Sequence, residues 1–109
     1  KQALSDAMPQ EQVAVVFESY LEVEEEGTYN FFTNSDDGSK LYINGKAIVD
    51  NDGDHGVMER SGSLELSEGR HLVRLEFFNG GGGYHLDVKY SGPNTTKQII
   101  PASKLFREK

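Results

Sequence analysis

Leu41-Tyr42-Ile43-Asn44-Gly45-Lys46-Ala47-Ile48-Val49 is the stretch that decides the fold class. Leu41 and Ile43 alternate with Tyr42, which is the period-two pattern of a half-buried strand. Asn44-Gly45 follows at once. That dipeptide favours the two-residue hairpin turn, because both residues accept positive φ. Ala47–Val49 then returns as the partner strand.

The same pattern extends in both directions. Upstream, Val13, Val15, Phe17, Leu21 and Val23 line one face of a first strand, and Tyr29 and Phe31 begin a second after the turn at Gly27. Downstream, Leu64 and Leu66 alternate around Glu65 in a fifth strand, which closes at Glu68-Gly69. Val73, Leu75 and Phe77 give a sixth, Leu86, Val88 and Tyr90 a seventh, and Gln98–Ile100 an eighth before Pro101. Sustained helical periodicity with caps is found nowhere. About eight short strands separated by Gly, Asn and Asp turns predict an all-β fold, an antiparallel β-sandwich or barrel. Residues 1–12 are polar, include Pro9, and read as a linker or tail. Residues 13–109 read as the domain.

Composition narrows the function. The chain has 109 residues, the size of one domain, and only 36% are hydrophobic. Six Phe and five Tyr supply much of the apolar area, since aromatic rings bury a large surface each. Eighteen acids against eleven bases give a net charge of −7. That field repels phosphate backbones and anionic lipid, so nucleic acid and membrane insertion are poor expectations. With no cysteine, thiolate chemistry and disulfides are excluded. The chain opens at Lys1 rather than Met, and reads as an excised piece of a longer protein.

Three loops carry the candidate chemistry. Asn34-Ser35-Asp36-Asp37-Gly38 sets two carboxylates side by side. Such a pair repels itself unless donors or a cation offset the charge, and calcium prefers hard oxygens of this kind. The same residue types also build ordinary turns. Asp50-Asn51-Asp52-Gly53-Asp54-His55-Gly56 invites an EF-hand reading, but the register fails. Counting from Asp50, His55 stands where glycine is required and Ser61 where glutamate is required. Asn79-Gly80-Gly81-Gly82-Gly83-Tyr84 offers close backbone approach, yet has neither the Gly-Lys-Ser/Thr nor the helix of a phosphate cradle.

Catalytic arrangements are thin. Ser61-Gly62-Ser63 does not form a nucleophile elbow. His55, His71 and His85 have no metal-ligand spacing, and His71 and His85 fall at outward strand positions. Eighteen acids offer many carboxylate pairs, which is why no single pair identifies a glycosidase. The chain is not expected to be an enzyme.

Taken in order, Phe17-Glu18-Ser19-Tyr20-Leu21, Gly27-Thr28-Tyr29-Asn30-Phe31, Ser35-Asp36-Asp37-Gly38-Ser39-Lys40-Leu41-Tyr42-Ile43-Asn44-Gly45, Val49-Asp50-Asn51-Asp52-Gly53, His55-Gly56, Ser61-Gly62 and Glu68-Gly69-Arg70-His71 form a series. Phe77-Phe78-Asn79, Gly92-Pro93 and Ile100-Pro101 complete it. The series resembles the domain family first named from anthrax protective antigen, the PA-fourteen domain, from about Val13 to Leu105.

The resemblance implies a β-sandwich or barrel carried by exported proteins: glycosidases, adhesins, proteases and toxins. In adhesin-like members two adjacent aspartates, joined by a cis peptide, bind Ca²⁺, and the ion binds vicinal sugar hydroxyls. Carried over, Asp36 and Asp37 are metal ligands, and Asn79 and Gly81 belong to the second calcium loop. The expected glycan contacts are Asp36, Asp37, Asn79 and the ring of Tyr84. This second loop departs from the adhesin pattern, with glycines and one Asn where more ligating side chains are usual. Family members ordinarily open with a further, Tyr-rich strand ahead of the point where this chain begins, and its absence leaves one sheet edge or face uncovered. The resemblance therefore implies a secreted, periplasmic or cell-surface carbohydrate-binding module, with a glycan and the neighbouring domains of its parent chain as partners. The alternative is a structural accessory domain packed on a glycosidase or other catalytic domain.

Overall fold

Alternating side chains become the two inner faces of a sandwich. The computed structural model describes residues 13–36, 38–51, 58–79 and 85–109. Within them lie nine strands: β1 (Val13–Val23), β2 (Gly27–Asp36), β3 (Ser39–Ile43), β4 (Lys46–Asn51), β5 (Met58–Leu66), β6 (Gly69–Asn79), β7 (His85–Gly92), β8 (Thr95–Ile99) and β9 (Leu105–Phe106). A 3₁₀ turn at Ala102–Lys104 is the one helical piece among the described residues. The strands form a five-stranded sheet, β4-β3-β6-β1-β9, and a four-stranded sheet, β5-β2-β7-β8. All the pairings are antiparallel. The two sheets do not close on each other, so the fold is a sandwich rather than a barrel.

Register follows the hydrophobic pattern, because a one-residue slip would turn every inner side chain outward. Leu41, Leu75 and Val73 face Tyr29, Phe31 and Tyr90 across one buried core. The Asn44-Gly45 hairpin forms as the dipeptide dictates, with φ of 54° and 85°. Gly62 answers a different need. A Cβ there would lie 2.0 Å from the Ile48 carbonyl oxygen, where β4 of one sheet passes β5 of the other.

Two expectations need adjustment. Val15 and Phe17 pack against the core but are only half-buried. The short β9 covers β1 at Tyr20 and Leu21 alone, so the first half of β1 runs along a sheet edge among the described residues. β9 itself went unpredicted, since two residues cannot show alternation. The segment read as a linker, 1–12, lies outside the described residues.

Candidate functional site

The antiparallel topology sends the connections β2–β3, β4–β5 and β6–β7 to one end of the sandwich. Backbone pairing fixes their roots. Asp36 stands opposite His85, Ser35 opposite Met58, and Ser39 opposite both Asn51 and Phe77. The Phe78 amide donates to the Gly38 carbonyl at 2.9 Å. That bond brings the Asp36–Gly38 connection beside the end of β6, where Asn79 pairs with Val13. Of the residues singled out from the sequence, the backbones of Asp36 and Asn79 thus reach the same end from different strands. Asp37, Gly81 and Tyr84 lie outside the described residues, as do His55, most of the acidic 50–56 loop and the Asp36–Asp37 peptide bond.

Beneath this end sits a group of residues to which the sequence alone assigns no role. Thr33, Ser35, Ser39 and Asn51 are each at most 2% exposed. Their hydrogen bonds run in one direction. The Asn51 amide nitrogen donates to Ser35 Oγ and to the Thr33 carbonyl, both at 3.3 Å. Ser39 Oγ donates to Thr33 Oγ1 at 3.2 Å. A serine hydroxyl has one proton, so in the 2.8 Å contact between Ser35 and Ser39 the donor is Ser35. The chain therefore passes from β4 to β2, to β3 and back to β2. A signal for it existed. Thr33 and Ser35 continue the inward register of Tyr29 and Phe31, Ser39 that of Leu41, and Asn51 that of Val49. Inward positions thus change from apolar to polar as the strands approach the loops.

A groove of about 320 Å³ opens beside this end on the outside of the five-stranded sheet. Val16, Gly38, Lys40, Glu76 and Phe78 line it, among others. Val16 is 49% and Phe78 38% exposed, so two large apolar side chains are open to solvent in one groove. Among the described residues no three His, Asp or Glu side chains gather as a metal site. His71 is structural: its Nε2 donates to the Ser67 carbonyl at 2.7 Å, and its Nδ1 accepts from the Asn44 amide at 2.9 Å.

Fold and strand pairing together define a two-sheet β module with the roots of its three candidate loops at one end. The chain belongs to the PA14 domain family, whose model matches residues 2–104. The Anti-sigma-I factor RsgI3 of Acetivibrio thermocellus is 30% identical over 82 residues. That match covers 73% of this chain but only 13% of the relative. A PA14 sugar-binding domain from an RTX adhesin superposes with a TM-score of 0.79 at 24% identity, over 90% of this chain and 56% of that one. The GH31 alpha-xylosidase Xac1773 from Xanthomonas citri contains a similar fold, with a TM-score of 0.66 at 26% identity, over 98% of this chain and 13% of the enzyme.

Proposed function

We propose that the domain is a non-catalytic glycan-binding module of a larger extracellular chain, and that it holds its ligand at the loop end with the help of calcium. One observation carries the reading most. Strand pairing and the Phe78–Gly38 bond bring the Asp36–Gly38 connection and Asn79 together from separate strands. Membership of the PA14 family supports it. The adhesin relative, described as sugar-binding, lends this chain its fold, and the sugar is our proposal.

The donor chemistry fits a calcium ion. Asp36 and Asp37 would supply carboxylate oxygens, and Asn79 and Gly81 an amide or carbonyl oxygen, all hard ligands. When bound, the ion offers coordination positions to a pair of neighbouring sugar hydroxyls. The protein's own contribution is orientation. The two carboxylates hold the charge in place, Asn79 hydrogen-bonds the sugar, and the Tyr84 ring packs against its C–H face. Affinity at one such site is weak, so binding in a multidomain parent relies on several sites acting together.

The exposed Val16 and Phe78 favour a second reading, an accessory domain packed on a neighbouring catalytic domain. A multivalent display of the domain on a glycan array, with calcium and then with chelator, separates the two. Retention of a defined sugar that disappears with chelator and with Asp36→Asn is the expected result. No retention on a broad array in either condition transfers the case to the accessory reading.

A further inference from the structure

The buried polar chain under the loop end has no packing rationale of its own. Tyr29 and Phe31 fill the equivalent inward positions elsewhere in β2, Leu41 and Ile43 in β3, and Val49 in β4. Buried hydroxyls and amides are tolerated only when bonded, and a bonded set fixes the backbones that carry it. Here the set brackets the Asp36–Gly38 connection. Ser35 is the residue before it, Ser39 the residue after it, and their oxygens are 2.8 Å apart. Thr33 and Asn51 lock that pair to the rest of β2 and to the end of β4. The Phe78 amide holds the Gly38 carbonyl from a fourth strand.

We propose that Thr33, Ser35, Ser39 and Asn51 are positioning residues, which hold the two ends of the Asp36–Gly38 connection at the spacing needed to present adjacent carboxylates to a divalent cation. The inference rests on the calcium reading above. Removing outer hydrogen-bond partners of a metal site typically weakens metal binding about 10–100-fold.

Isothermal titration of CaCl₂ into the 109-residue chain tests it, at a temperature where circular dichroism shows each variant fully folded. Thr33→Val keeps shape and removes the hydroxyl at the end of the chain, whereas Thr33→Ser keeps the hydroxyl. Ser39→Ala breaks the middle, and can be read alone if Thr33→Val does not fold. The expected result is calcium affinity about 10–100-fold weaker in Thr33→Val and Ser39→Ala, and wild-type affinity in Thr33→Ser. A purely structural network would lower the melting temperature of the calcium-free variants while leaving the affinity of the folded protein unchanged. That outcome overturns the proposal and leaves the calcium reading standing. A wild-type chain that takes up no calcium sinks both, and the variants then have nothing to position.

Discussion

The two ends of the sandwich are built from opposite materials. At one end the turns are short and stitched by side chains. Asn44 bonds the Leu72 amide and His71, the Tyr29 hydroxyl donates to the Glu25 carbonyl at 2.6 Å, Asn94 reaches Glu25, and Lys104 pairs with Glu24. A cleft of about 150 Å³ lies among them, beside the stacked rings of Tyr29 and Tyr90. The polar groups around it bond mainly to one another. At the other end, the β2–β3 and β4–β5 connections stand on buried hydroxyls and an amide. A closed end satisfies its own polar groups at the rim, whereas the loop end carries polarity into the core beneath its connections.

The largest effect should come from the core the two ends share. Phe77 is 2% exposed and sits in β6 between Leu75 and the loop end. Phe77→Ala should destabilise the domain by about 3–5 kcal/mol in urea unfolding. A loss near zero would mean that this strand's inner face is not the core, and the division into ends would lose its common foundation.

Next in size is the effect of calcium, which should act through the loop end alone. A site of this kind binds at about 10⁻⁴–10⁻³ M, and ligand at a hundredfold excess over Kd adds about 2.7 kcal/mol of stability. The melting temperature should therefore rise with calcium, fall back with chelator, and show no response in Asp37→Asn. Superimposable melts across the whole series would reduce Asp36 and Asp37 to turn residues. Tyr29→Phe is the control from the closed end. It removes one hydrogen bond to a backbone carbonyl, worth about 0.5–1.5 kcal/mol, and should leave the calcium response intact. A calcium response weakened by Tyr29→Phe would show that the ends are not independent.

Most of the fold was legible because hydrophobic period and turn chemistry agreed. The two-residue Asn44-Gly45 turn forms as written, whereas an irregularity at Ile48, which alternation does not show, shifts the register so that Leu41 stands opposite Val49. β9 was illegible because its pairing with Tyr20 and Leu21 is set by tertiary position. The half-burial of Val15 and Phe17 has a related cause, since alternation shows which way a side chain points and not how far the opposite sheet extends. At the candidate site the residues that stand out in the sequence are conspicuous by charge, Asp36 and Asp37, or by repetition, the glycines after Asn79. The buried role of Thr33, Ser35 and Ser39 is hard to read because small hydroxyl residues near a turn look like solvent-facing positions. Only their phase relative to Phe31 and Leu41 marks them as inward.

The smallest expected effect belongs to the closed end and appears only in alkali. Burial raises the pKa of the Tyr90 phenol above its usual 10.0, opposed by Lys104 and assisted by Glu24. Tyr29 is raised as well, first by burial and then by Glu25. A phenol that ionises more readily in the unfolded chain than in the folded one draws the protein toward unfolding once the solution passes the unfolded value. The stability that the protonated Tyr90 contributes is thus fully present below pH 10 and is lost as pH rises through the higher folded pKa. Tyr90→Phe removes this linkage, and with it the Tyr90 charge that helps to raise Tyr29, so both changes favour the variant in alkali. Urea midpoints of the two should therefore run in parallel up to about pH 10, then diverge in favour of Tyr90→Phe. Parallel curves to the alkaline limit would mean that Tyr90 is solvated in the native protein, and that the closed end is looser than its hydrogen bonds imply.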